Sequence, residues 1–274
     1  MRYVALFMLC VQLFFSGSAF SNEAEKKIVA TIKPVHSLAT MAAEALKLSP
    51  PQLLLEGAAD PHHFSLKPSQ AKMLEKADLV LFASEQIETF LQKQVEKTPL
   101  KYFPPIAFEN ENATKYSHAW LDMKLTLKML KSIFFMYRSG KVAGVEYLQT
   151  AGSQKLFKIP QPIMDKFIER STAYLKVFEP YKGHTVWFDS LVGVPFVEQF
   201  GVKGGVFKNL LKDSTEKTCL VVTHGHNSKM ERTAKALGHK IIHVDLLGVD
   251  IPAGSEHYFT LMDKLVAGIS ACLA

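Results

Sequence analysis

The sequence predicts an α/β protein of two lobes, each a parallel sheet flanked by helices, joined by one long linking helix. Three observations predict it. Short apolar or β-branched runs alternate with longer segments of helical spacing, the pattern of helices packed on parallel strands. One uninterrupted helical segment divides the strand-rich halves, and 274 residues are too many for a single small core. Hydrophobic residues make up 48% and charged residues 21%, with 19 phenylalanines, which supplies a packed interior and excludes a disordered chain.

The elements follow in order. Met1-Arg2-Tyr3, an apolar run from Val4 to Phe15 and the small residues around Ser16 to Ser21 describe a secretory signal over residues 1–21, with cleavage near Ala19 or Ser21. The run is well short of the roughly 20 apolar residues that cross a bilayer, so the mature chain is expected to carry no transmembrane segment. An N-terminal α/β lobe is expected over 22–158, with strands at Lys27 to Ile32, Gln52 to Leu55 and Asp78 to Ala83. Its helices are expected at Ser37 to Leu46, Ser69 to Ala77, Ile87 to Glu96 and Leu121 to Tyr137. A linking helix is expected within 159–182, where Ile163 to Val177 is bracketed by Pro160, Pro162, Pro180 and Gly183. The C-terminal lobe, 183–274, has strands at His184 to Phe188, Cys219 to Thr223 and Lys240 to Val244. A helix spans Ser228 to Leu237, with Asn227 placed to cap its start and Gly238 its end.

The formal net charge of +6 is mild, the lysines are scattered and no basic stripe is interleaved with aromatics, so nucleic acid is not an expected partner. Of three cysteines, Cys10 lies inside the apolar leader, leaving Cys219 and Cys272. In an exported chain these are expected to pair, closing a loop of about 54 residues worth roughly 4 kcal/mol; two buried thiols are the alternative.

Ten histidines are present, and their placement carries the chemistry. His62 follows the apolar Leu53-Leu54-Leu55, His224 and His226 follow the Cys219 to Thr223 strand, and Asp245 follows Ile241-Ile242. These are carboxyl ends of strands, where an open α/β sheet presents its cleft. His118 opens His118-Ala119-Trp120-Leu121 ahead of a long helix. Several imidazoles with one carboxylate suit Zn2+, usually four-coordinate. There is no CxxC pair and no HExxH helix, so such a site must be assembled from distant loops.

Three stretches resemble the periplasmic zinc-binding receptors of bacterial ABC-type importers, the ZnuA family. They are Thr31-Ile32-Lys33-Pro34-Val35-His36-Ser37-Leu38, Ala59-Asp60-Pro61-His62-His63-Phe64-Ser65-Leu66-Lys67-Pro68-Ser69 and Ala77-Asp78-Leu79-Val80. His118-Ala119-Trp120-Leu121 is similar to the family's second ligand motif and Asp245-Leu246-Leu247-Gly248-Val249-Asp250-Ile251 to its final acidic motif. The resemblance implies a periplasmic, monomeric receptor that holds Zn2+ between its lobes and delivers it to the membrane permease of an ABC importer. It implies His62, His118 and Asp245 as ligands, and a disulfide between Cys219 and Cys272 like that of some members.

The chain departs from the family in three places. Where a third histidine ligand is expected it reads Trp187-Phe188-Asp189-Ser190, which leaves Asp189 or, in preference, His224 to complete the set, with His226 a further candidate. The stretch between Gly204 and Cys219 is shortened. Pro105 to Ser117 contains no histidine, so preference for zinc over manganese rests on the main site, where three His and one Asp favour Zn2+ while Mn2+ is the alternative ion. His36 is either an orienting neighbour of a ligand or a structural residue of the first helix; His63 is expected to point away from His62, and His184, His239, His243 and His257 are expected at the surface or in strand packing. No catalytic residue is expected. The competing readings are a zinc hydrolase and a metal-independent adhesin or signalling protein built on the receptor fold.

Overall fold

A computed structural model describes residues 26–57, 60–104, 118–139, 158–207, 218–223 and 228–274. The expected leader and Asn227, His224 and His226 lie outside the described residues.

The N-terminal half begins with β1 (Ile28–Ala30), α1 (Lys33–Leu46), β2 (Gln52–Leu53), α2 (Pro68–Lys76) and β3 (Leu79–Leu81). It continues with α3 (Gln92–Lys97), β4 (Tyr102–Phe103) and α4 (Met123–Ser139). A long helix, α5 (Gln161–Phe178), leads to β5 (Thr185–Phe188), α6 (Val194–Glu198), β6 (Lys203–Val206) and β7 (Cys219–Val222). The chain closes with α7 (Ser228–Ala236), β8 (Lys240–His243) and α8 (His257–Leu273). Two all-parallel four-stranded sheets result, ordered β2-β1-β3-β4 and β6-β5-β7-β8. Each reverses its winding beside its first strand, so each has a crevice at the carboxyl ends of its two central strands.

The six expected strands and the linking helix are present. Helix α1 starts earlier than expected, at Lys33, because Pro34 in the first turn needs no donor there. It is buried from Pro34 through Ala43 between the first sheet, α4 and α8, and its small residues Ala39, Ala42 and Ala43 let those neighbours approach. Helix α7 ends as read: Gly238 has φ 81°, and the Gly238 and His239 amides close on the carbonyls of Lys235 and Ala234.

One apolar core runs through both halves, from Val35, Trp120 and Phe134 to Phe167, Phe188, Tyr258 and Leu265. Polar ties cross the same seam. The Tyr258 amide donates to Ser37 Oγ at 3.0 Å, which donates to the Ser255 carbonyl at 3.0 Å, and the Tyr258 hydroxyl donates to Thr126 Oγ1 at 3.2 Å. Helix α5 joins the bundle through Arg170 and Tyr174, which both donate to the Asp263 carboxylate, and through a Lys166–Glu256 ion pair. Cys219 and Cys272 form a disulfide with Cα atoms 5.6 Å apart, pinning the last turn of α8 to the start of β7. Among the described residues no helix is long and apolar enough to cross a membrane.

Candidate metal site

The first side of the site is built by the loops after β2 and β3. Asp60 caps a single 3-10 turn, Pro61–His63, by accepting the His62 amide at 3.0 Å. That turn aims the His62 ring at the loop after β3, where Nδ1 stands 3.2 Å from the Gln86 carbonyl. A carbonyl only accepts, so Nδ1 carries the proton in this contact and Nε2 is the acceptor nitrogen of the ring. Thr89 donates to the His62 carbonyl at 3.2 Å and ties the two loops a second time.

His118 precedes the 3-10 turn Ala119–Leu121, and its ring packs 4.9 Å from that of Trp120, which is wholly buried. The His62 and His118 ring centroids lie 5.6 Å apart, inclined at 30°. Two imidazoles bound to one tetrahedral Zn2+ at about 2.1 Å per nitrogen would have centroids roughly 5 Å apart. The pair therefore has close to the spacing of two ligands on one ion, although 56 residues of sequence separate them.

The second lobe meets this pair through backbone. Trp120 Nε1 donates to the Leu246 carbonyl at 2.9 Å, so the His118 turn is bound to the residue after Asp245. The Asp245 carboxylate accepts the amides of Leu247, at 2.8 Å, and Val249, wrapping its own turn. A carboxylate offers about four lone-pair positions, so capacity for a cation remains. Lys33 reaches across from α1 to donate to the carbonyls of Val249 and, at 2.8 Å, Ile251. Gly248, at φ 67°, is required in this turn: a Cβ there would lie 2.8 Å from the His257 ring. Among the described residues no group of three or more His, Cys, Asp or Glu side chains stands close enough to hold a metal, so Asp245 reaches the seam without closing a three-ligand set with the two histidines.

The other candidates fall elsewhere. Both Asp189 oxygens accept from Thr223, Oδ1 from the hydroxyl at 2.7 Å and Oδ2 from the amide at 3.0 Å, which joins the ends of β5 and β7. His36 is buried in α1 with Nε2 3.0 Å from the Pro51 carbonyl, and burial holds its pKa below the ordinary value. That contact makes it a support of the loop before β2. His63, His184 and His243 are exposed, whereas His239 and His257 are buried; His257 sits between the carbonyls of Leu247 and Pro252 under the Asp245 turn.

Sequence reasoning passed over Glu88. It is fully buried behind the His62 loops and accepts the Thr31 hydroxyl at 2.6 Å, the Ala83 amide at 2.9 Å and the Ser84 amide at 3.0 Å. Burial pushes its pKa up, against the pull of those donors. The available signal was one carboxylate in the apolar run Ile87-Glu88-Thr89-Phe90-Leu91 just past a strand.

Residues 28–135 match the family model described as ZnuA, zinc-uptake complex component A, periplasmic. The matched span holds the whole first sheet, His62 and His118. The sequence match to the ZnuA family lies within the N-terminal lobe. The high-affinity zinc uptake system protein ZnuA of Brucella abortus is 37% identical over 82 residues, 30% of this chain and 24% of that protein, so the chain spans about a quarter of that relative's length. The whole two-lobed fold is similar to that of FpvC from Pseudomonas aeruginosa, a solute-binding protein solved in complex with Mn2+, with a TM-score of 0.69 and 12% identity over 91% of this chain and 98% of that one. It is also similar to the Zn(II)-bound ZnuA-like domain of AdcA from Streptococcus pneumoniae, at TM-score 0.63 and 13% identity over 90% and 99% of the two chains. The N-terminal lobe thus carries the match in sequence, and both lobes share the likeness in fold.

Proposed function

We propose that this protein is an exported receptor that captures Zn2+ between its lobes and delivers it to the permease of an ABC importer. In this reading residues 1–21 direct export to the periplasm, and lobes at 22–158 and 183–274 flank a linking helix within 159–182. His62 and His118 supply two imidazoles from the first lobe, and Asp245 and His224 complete the set from the second. The observation that carries the reading is the 5.6 Å approach of the His62 and His118 rings. Support comes from the Gln86 carbonyl, which holds the His62 tautomer in which Nε2 is the basic nitrogen, and from relatives whose names specify zinc uptake.

Imidazole ligands favour Zn2+ over Mn2+, which prefers oxygen. Asp189 braces the ends of β5 and β7 through Thr223, and Asp245 is preferred as the carboxylate ligand because its segment is bonded to the His118 turn through Trp120. The site is a carrier's and not a hydrolase's: the carboxyl behind the His62 loop, Glu88, is wholly buried and engaged by three donors, so it is not placed to activate a metal-bound water.

Titration calorimetry of the mature chain with Zn2+ tests the proposal. The expected result is one sub-micromolar site, on the order of 8 kcal/mol or more, weakened at least tenfold by His62→Ala and by His118→Ala. Zinc binding that is absent, or indifferent to both changes, would show that the fold serves another task.

A further inference from the structure

The Gln86 carbonyl that orients His62 belongs to a turn whose tip, Glu85-Gln86, is exposed and whose base, Ser84, Ile87 and Glu88, is buried. Ile87 anchors that turn in the core, and the carboxyl of Glu88 sets its hydrogen bonds. Glu88 Oε1 takes the Ala83 amide and the Thr31 hydroxyl, Oε2 takes the Ser84 amide, and the Ile87 and Glu88 amides turn back on the Ser84 carbonyl at 3.1 and 3.0 Å. One side chain thereby joins the end of β1, at Thr31, to the end of β3, at Ala83 and Ser84, and closes the turn Ser84 to Glu88 around itself. Gln86 lies at the tip of that turn, facing His62, and Thr89, the residue after Glu88, grips the His62 carbonyl.

A carboxyl sealed from water is costly unless its lone pairs are used, and a leucine at 88 would fill the same volume without that cost. Three convergent donors from two strands satisfy the group and set the turn to one geometry. We propose that Glu88 is a positioning residue for metal capture: it fixes the turn whose Gln86 carbonyl holds His62 in the Nδ1-protonated tautomer, the form in which Nε2 is the basic nitrogen. This rests on the receptor reading above for the identity of the cargo, but not for the orientation of His62, which its contact with the Gln86 carbonyl gives.

Glu88→Gln is nearly isosteric and puts an amide NH2 where a carboxyl oxygen was. In one orientation that NH2 faces the Ala83 N–H and in the other the Ser84 N–H, so the turn cannot close as before. In metal-free protein, 15N-resolved imidazole spectra are expected to show His62 in the Nδ1–H tautomer, assigned by loss of its signals in His62→Gln. Glu88→Gln is expected to shift that population toward the Nε2–H form and to raise the zinc dissociation constant by about 10- to 100-fold, as removal of such a supporting partner does at metal sites. Leu74→Ala is the control. Leu74 is buried in the core on the other face of the first sheet, so its loss lowers the thermal midpoint while leaving the tautomer and the zinc affinity unchanged.

A folded Glu88→Gln protein with parental tautomer and a zinc dissociation constant within about twofold of the parent would overturn the proposal and leave Glu88 a support of the fold alone. If that variant does not fold, Thr31→Val removes one donor and keeps the volume; the same two shifts, smaller, are then expected, and their absence is equally decisive. A parent protein that binds no zinc would refute the receptor reading, and the tautomer comparison would still decide the role of Glu88.

Discussion

Lys33→Met isolates the link between the lobes. The Lys33 ammonium leaves the first turn of α1 and donates to two carbonyls of the Asp245 segment, those of Val249 and Ile251, in the opposite lobe. Methionine keeps the aliphatic stem and removes only the charged donor. A hydrogen bond from a charged group contributes about 1.5–3 kcal/mol, and the lower end applies because Lys33 is half-buried and Val249 only partly so. Ile251 is buried, so its carbonyl is left without that donor out of water. Together the two bonds give a loss of roughly 3 kcal/mol, which for a chain of this size lowers the thermal midpoint by about 6–12 °C. Urea unfolding of metal-free protein measures it, with near-ultraviolet circular dichroism reporting Trp120, whose indole hydrogen-bonds the same segment. A loss under about 0.5 kcal/mol with the Trp120 signal unchanged would mean that the apolar seam alone aligns the lobes, and the account of Lys33 would be wrong.

Two further outcomes are expected. Reducing the Cys219–Cys272 disulfide, which spans 53 residues, should cost about 4 kcal/mol; a reduced protein with the parental unfolding midpoint would contradict it. His36 and His257 both have pKa values depressed by burial below 6.5, so the stability they contribute is present above pH 6.5 and is lost as the pH falls through their lower folded values. Each tenfold reduction in proton affinity is worth about 1.4 kcal/mol. Glu88, with a raised pKa, has the opposite sign: its contribution is lost as the pH rises from about 4.5 toward its folded value. Thermal midpoints at about pH 5 and pH 7.5 should therefore differ less in a His36→Gln/His257→Gln variant than in the parent, where Glu88 is common to both. An identical pH dependence would refute the assignment.

The fold was legible where local pattern and tertiary role agree. Strands such as Cys219–Val222, buried on both faces, read as continuous apolar runs. Strand β6 was not legible: Lys203-Gly204-Gly205-Val206 has two glycines because Val194 and the Trp187 ring lie where their Cβ atoms would be, at 2.7 and 2.6 Å, and neighbours distant in sequence impose that need. Strand β4 is two residues long, too short to show a period. Helix α8 went unread because its buried positions, from His257 to Cys272, cover a broad face packed at once on α1, α5, β7 and β8, so no clean polar stripe marks it. At the site, His62 and His118 were legible from their motifs, but their meeting was not, since it depends on how two loops close. Glu88 was invisible for a related reason: its three donors, Thr31, Ala83 and Ser84, come from the ends of two strands that only the parallel pairing of β1 and β3 brings together.

The two lobes share one strand order, and each joins its central strand ends with a carboxylate bonded to a threonine: Glu88 with Thr31 in the first, Asp189 with Thr223 in the second. The partners sit in opposite senses, the threonine following β1 in one lobe and β7, the counterpart of β3, in the other. In the first lobe the carboxyl is wholly buried and the turn it closes faces His62 through the Gln86 carbonyl. In the second the carboxyl comes from the first central strand, at the position where the ZnuA resemblance leads one to expect a histidine. In the proposed receptor reading the second lobe's ligands are His224 and Asp245, which follow β7 and β8 in sequence, and the Trp120 bond to Leu246 ties the Asp245 segment to the His118 turn. If that division of labour holds, Asp189→Asn should disturb the second sheet's stability more than zinc affinity, the reverse of what replacing a ligand would do.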